Sequence, residues 1–158
     1  MIEPKKIMYD EGRRNALDLA GRAKDMDGTA IIAEEGRIPA WSEDAVYTAE
    51  HVGFPVHDNG QVYTLLMPHT PAHNPGSRPE NLRAIYNLLH TKDPARAKPW
   101  MPSYGTSGLY KIDECCTYLA DDGSTHVFRN KYDNNDYPPL TLNVEDRWED
   151  LGEVSLWQ

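Results

Sequence analysis

The stretch IPAWSEDAVYTAEHVGFPVHDNG, residues 38–60, is followed in register by MPSYGTSGLYKIDECCTYLADDG, residues 101–123. At a constant shift of 63, Pro39 falls on Pro102, Tyr47 on Tyr110, Asp58 on Asp121 and Gly60 on Gly123. Chemically similar pairs surround these identities: Ile38 with Met101, Trp41 with Tyr104, Val46 with Leu109, Glu50 with Asp113, Val56 with Leu119 and Asn59 with Asp122. A sentence written twice at this length reads as two modules in tandem.

Each copy runs from an aromatic residue through a Tyr to an Asp/Asn–Gly turn, in HDNGQVY at 57–63 and ADDGSTHVF at 120–128. Gly supplies the positive φ that tight hairpin turns demand, and Asp or Asn tolerates it alongside, so hairpin turns are expected at 58–60 and 121–123. The stretches that follow, TLLMPHTPAHNPGSRP at 64–79 and RNKYDNNDYPP at 129–139, are too rich in Pro and Asn to extend a ladder. Each loop closes on an apolar cluster. NLRAIYNLL at 81–89 reads as a short helix begun near Pro79, and VEDRWEDL at 144–151 as a turn or brief strand. TKDPARAKP at 91–99 reads as a linker.

Ahead of the repeats, residues 9–26 place Ala16, Leu17, Leu19, Ala20 and Ala23 on one helical stripe. Thr29 is a candidate cap for the helical AIIAEE, Gly36 a candidate left-handed terminus, and Pro39 forbids continuation. A helix of that length is marginal alone in water, so its stripe needs a partner: the first module, or a second copy of the chain in a homo-oligomer. The fold expected is mainly β with an N-terminal helical segment (1–37), two small antiparallel β modules in tandem (38–90 and 100–158) and the linker between them.

Modules of roughly 50 residues bury proportionally little surface and rely on aromatic side chains or a neighbour. Four Trp and nine Tyr against two Phe fit that need. The net charge is −9, and from residue 98 onward eleven Asp and Glu face five Lys and Arg. Nucleic acid and anionic membrane are poor partners for such a surface. Without an 18-residue apolar run or a signal-peptide core, the chain is expected to be made in the cytoplasm without a signal peptide. Cys115 and Cys116 are adjacent, a spacing that suits neither zinc nor redox chemistry. Free thiols are expected, one in the core and one nearer solvent.

The order of aromatic, Tyr, hairpin, aromatic, Pro-containing loop and closing aromatic resembles the small β modules of carbohydrate-binding family 5/12. These occur on chitinases and cellulases and, in variant form, in phage and prophage tail-associated proteins. Ala40-Trp41, Tyr47, Gly60, Tyr63 and Tyr86 carry the resemblance in the first copy; Ser103-Tyr104, Tyr110, Gly123, Phe128 and Trp148 carry it in the second. The chain departs from the pattern at two places. The family's Gly-Asp is Glu50-His51 and Asp113-Glu114, and its Trp-Trp pair is Met67-Pro68 and Tyr132-Asp133.

The resemblance implies a non-catalytic polysaccharide-binding protein of a virion or extracellular assembly, its partners a cell-surface glycan and other virion proteins. The alternative is a virion structural subunit that keeps the fold without sugar binding. A pyranose packs its C–H face on a flat ring while amides and carboxylates take its hydroxyls. The candidate rings are Tyr104, Tyr132, Tyr137, Trp100 and Trp41, with the second copy favoured because Met67-Pro68 cannot stack. Tyr47, Tyr63, Tyr86, Tyr110, Phe128 and Trp148 are assigned to the cores. No metal or cofactor is expected. Prolines exclude a helix that would pair His69 with His73, and DNND at 133–136 lacks the Gly and distal Glu of a calcium loop. The acidic run Glu145, Asp146, Glu149 and Asp150 reads as a solvated face, and no recognisable nucleophile motif joins Ser or Cys to His, so no enzyme is expected.

Overall fold

The computed structural model describes the chain from Pro4 to Gln158, with side-chain surroundings from Gly12 onward. Met1–Glu3 of the expected helical segment, and its side chains as far as Glu11, lie outside the described residues. Helix α1 (Pro4–Arg22) buries Leu19 and Ala20, and Ala23 just past its end, whereas Leu17 of the expected stripe is exposed. Helix α2 (Gly28–Ala33) is capped by Asp27, whose carboxylate accepts the Ala30 N–H at 2.8 Å. The expected cap, Thr29, lies inside the helix and accepts the Lys92 N–H instead. Gly36 sits in a 3-10 turn (Glu35–Arg37), not in a left-handed terminus. Leu19, Ala23, Ile31, Ile32 and Ile38 close one apolar cluster with Val62, so the helical segment packs on its own first module. No described helix is long and apolar enough to cross a membrane.

Both hairpins form at their Gly turns. Strands β1 (Pro55–Asp58) and β2 (Gln61–Leu65) pair antiparallel across Asn59-Gly60, whose φ values of 48° and 77° are those of a two-residue primed turn. Strand β3 (Tyr86–Leu88) completes a three-stranded antiparallel sheet. The helix expected over 81–89 is therefore replaced by a 3-10 turn (Pro79–Asn81) and a strand. Its apolar spacing fits either period, and the open edge of β2 decides the outcome.

The second sheet runs β4 (Lys98–Pro99), β5 (Cys115–Leu119), β6 (Thr125–Asn130), β7 (Trp148–Glu153). β4 is parallel to β5 and the other pairs are antiparallel. Residues 91–99 do not hang free. Thr91 bridges Cys115, and Lys98 and Pro99 pair with Cys116 and Thr117. Cys116, Tyr110, Phe128 and Trp148 cluster on one face; Cys115, Val127 and Ala97 cluster on the other under Leu151 and Val154. Both thiols are thus free and buried, because residues 94–97 and the C-terminal turn cover the face expected to meet solvent.

The duplication is visible in hydrogen bonds. Trp41 N–H donates to His57 O and Trp100 N–H to Thr117 O. The next residue's N–H, from Ser42 and from Met101, donates to the hydroxyl of Tyr47 and of Tyr110 at 3.1 and 3.3 Å. These tyrosines meet Tyr86 and Trp148 edge-on, at centroid distances of 6.3 and 5.1 Å. Gly53 and Asp113, both at positive φ, donate to Leu65 O and Asn130 O. The structural spacing is therefore 59 residues for Trp41 and Trp100, 63 for Tyr47 and Tyr110, 65 for Tyr63 and Phe128, and 62 for Tyr86 and Trp148. Trp100, not Tyr104, opens the second copy. The constant shift of 63 hid this because the stretch from Trp100 to Tyr110 is four residues longer than that from Trp41 to Tyr47.

A polar seam joins the modules. Gln61 Nε2 donates to Pro99 O, Arg83 Nη1 to Pro102 O, and Ser107 Oγ to Asn87 Oδ1. Gly108 has φ +80°, and a Cβ there would stand 2.4 Å from Arg83 Nη2. His90 Nε2 donates to Gly108 O at 2.8 Å, and its ring lies flat on Tyr110 at 3.6 Å. Burial pushes the His90 pKa down to about 4, so the imidazole is neutral at pH 7. The unfolded chain binds this proton more readily, so stability is complete above about 6.5 and is lost as pH falls toward 4. At about 1.4 kcal/mol per pKa unit the loss amounts to about 3 kcal/mol. Denaturant titrations from pH 7 to 4 are expected to cost the parent chain that much more than His90→Gln; parallel pH profiles would show that His90 titrates normally.

Candidate functional site

Of the five candidate rings, two are structural. Trp41 is only 7% exposed and donates its indole N–H to the Tyr86 hydroxyl at 3.1 Å. Trp100, half-buried, packs on the Tyr110–Phe128–Trp148 cluster and meets Tyr118 edge-on. The Trp41 ring is part of the first core, and Trp100 packs against the second. Tyr104 is 60% exposed, on a tight turn closed by reciprocal hydrogen bonds with Ser107. The Ser107 contact to Asn87 sets that turn against the first module, and no ring contact joins Tyr104 to the other candidates among the described residues.

Tyr132 and Tyr137 come together. They are 51% and 43% exposed, and the Arg147 guanidinium carbon lies 4.0 Å from one ring centroid and 4.8 Å from the other. Arg147 ends the 3-10 turn (Glu145–Arg147) that feeds β7 and makes no ion pair among the described residues. A guanidinium held by its faces keeps its edge N–H groups for a third party. The arrangement is thus two outward rings around a fixed donor fork.

Two buried amides place the rings. Asn130 Oδ1 accepts the Tyr132 N–H, and Asn135 Oδ1 accepts the Tyr137 N–H, each at 3.1 Å. Asn135 Nδ2 donates to Asn130 Oδ1 at 2.9 Å, and both side chains are fully enclosed. Asn130 Nδ2 also reaches the carbonyls of Tyr110, Lys111 and Tyr132. The Trp148 indole donates to Tyr137 O at 2.8 Å. The loop expected to be irregular is therefore pinned at both tyrosines. Its signal was present as Asn-x-Tyr written twice, at 130–132 and 135–137, where an Asn side chain takes the backbone two residues on. Arg147 carried no comparable signal.

The first module lacks this surface. Leu66 N–H donates to Ile85 O as Lys131 N–H donates to Arg147 O, which aligns exposed Met67 with Tyr132. His69 and His73 part company, His69 Nδ1 meeting the Tyr86 hydroxyl and His73 meeting Asp44. DNND does not converge as a ligand set, because Asn135 turns inward.

One constellation escaped the sequence. Ser124, His126 and Asp150 stand in hydrogen-bond order, with Ser124 Oγ 2.9 Å from His126 Nε2 and both Asp150 oxygens 2.8 Å from Nδ1. The Ser124 hydroxyl is committed to Asp122 Oδ1 at 2.5 Å. The hydrogen bond to Asp150, with Asp122 and Glu153 nearby, raises the His126 pKa. With its hydroxyl proton given to Asp122, Ser124 has none directed at the imidazole.

No family model matches the chain, and neither the curated proteins nor the solved structures contain a match.

Replacing Asn135 by Ala removes an enclosed acceptor and donor; the stranded Tyr137 N–H, with one of the two bonds to Asn130 Oδ1 lost, should cost about 2 kcal/mol. Urea unfolding of Asn135→Ala is expected to show that loss, with Asp136→Ala, its exposed neighbour, within about 0.5 kcal/mol of the parent. A silent Asn135→Ala would remove the amide pair from its supporting role.

Proposed function

We propose that this chain is a non-catalytic polysaccharide-binding protein whose second module makes the contact, in the setting of a phage or prophage virion or tail-associated assembly. The observation that carries the reading is the Tyr132–Arg147–Tyr137 cluster. Rings that are outward, fixed by buried amides and restricted to two main χ angles lose little entropy when a sugar face packs on them. Asp133 and Asp136 offer acceptors beside them for hydroxyls, while the Arg147 fork offers donors. The acidic surroundings favour a neutral glycan over an anionic one. The virion setting rests on the family resemblance, in which helical lead-ins precede such modules.

The structural-subunit reading is favoured by the first module, where apolar Leu66 and Met67 are exposed at the positions equivalent to Lys131 and Tyr132. Those side chains suit protein contact better than sugar.

In pull-downs with insoluble neutral polysaccharides, Tyr132→Ala and Tyr137→Ala are each expected to weaken binding about tenfold, the equivalent of 1–2 kcal/mol per ring. Met67→Ala should bind as the parent does. If the parent retains no polysaccharide, the structural-subunit reading replaces this one; if Met67→Ala alone loses binding, the wrong module was chosen.

A further inference from the structure

We propose that the hairpin end of the second sheet is a binding site for one divalent transition-metal ion of the zinc type, held by Asp122, His126 and Glu153. Asp122 lies on the β5–β6 turn, His126 on β6, and Glu153 on β7 as the register partner of His126. The three offer ligand atoms that all lie within 4.8 Å of one another. Asp122 Oδ2 is 3.6 Å from His126 Nε2. Ligands about 2.0–2.1 Å from a tetrahedral ion stand about 3.4 Å apart, so this pair needs little movement.

The group is more than a set of acids, because its imidazole is oriented. Both oxygens of Asp150 lie 2.8 Å from His126 Nδ1, and Asp150 Oδ1 is itself fixed by the Gly152 N–H. A carboxylate on one ring nitrogen holds the imidazole with its other nitrogen turned to the ion, as ligating histidines commonly are held. The His126 side chain is 14% exposed, which limits its freedom to turn away. Ser124 Oγ presently shares Nε2 and would give up that contact while keeping its bond to Asp122.

Charge points the same way. Asp122, Asp150 and Glu153 surround one imidazole, and none of them pairs with a Lys or Arg among the described residues. Two negative charges are left uncompensated even beside a cationic imidazole, and a divalent ion matches that excess. One nitrogen with two carboxylate oxygens suits zinc better than the oxygen-only cages that calcium and magnesium prefer. The ion would tie the β5–β6 turn to β7. This inference is independent of the glycan reading.

Calorimetric titration of the full chain with zinc chloride is expected to fill one site per chain, with calcium chloride binding at least tenfold more weakly. Glu153→Gln should lose tenfold or more in zinc affinity and His126→Ala should lose binding. Asp150→Asn, a positioning change, should lose roughly 10- to 100-fold. His73→Ala, at an exposed surface imidazole, should bind as the parent does. Should His126→Ala disturb the sheet, imidazole NMR signals of the intact chain read the same site: His126 shifts at one equivalent of zinc while the other five histidines hold still. The proposal is overturned if no saturable binding occurs up to about 1 mM zinc. It is equally overturned if Glu153→Gln binds unchanged, or if another histidine shifts in place of His126.

Discussion

A tyrosine hydroxyl that accepts the backbone N–H following a tryptophan holds each module shut. The link from Ser42 to Tyr47 and from Met101 to Tyr110 fixes the opening segment over the sheet, so that the preceding Trp can bury its ring and pair with the first hairpin strand. The same tyrosine then presents its edge to the closing aromatic, Tyr86 or Trp148. A sheet of three or four short strands could not exclude water from its face otherwise. The aromatics are spent inward first, and only rings beyond this set are left for a surface.

That hierarchy explains what the sequence could and could not disclose. The hairpins were legible because Asn59-Gly60 and Gly123 state a local backbone requirement that no distant contact overrides. The core tyrosines were legible because they recur with the turns. The helical segment was readable as an element, although Asp27 took the cap expected of Thr29. The opening of the second copy was misread because an ungapped comparison favoured Tyr104, while the ladder partner Thr117 selects Trp100. Strand β3 was hidden in a pattern that fits two periods, and only the edge of β2 distinguishes them. Of the candidate site, Tyr132 and Tyr137 were visible as residues. Their union was not, because Arg147 arrives from another loop.

The two copies have diverged at the same structural address. Where the first places Met67 beside a Pro-rich loop, the second places Tyr132 over a paired-amide foundation. The buried Asn pair accepts the desolvation cost of two amides because each satisfies the other and the chain around it. A core built that way is less forgiving than an apolar one, and it holds Tyr132 and Tyr137 in place. The two modules share a frame, and the loop after the second hairpin strand carries the difference in surface.

The seam between the copies has a consequence for how such a protein can evolve. Arg83 is a cation contributed by one copy and enclosed by the other, with Nε and Nη2 lacking a partner among the described residues, and it fits only because residue 108 has no side chain beyond hydrogen. His90 likewise belongs to the stretch after the first sheet but finds its stacking partner and its acceptor in the second copy. Tandem modules are usually interchangeable beads, gained and lost by recombination. Here a crossover between residues 83 and 108 would inherit the lock without its key, and lengthening the array by a third copy would require a new seam.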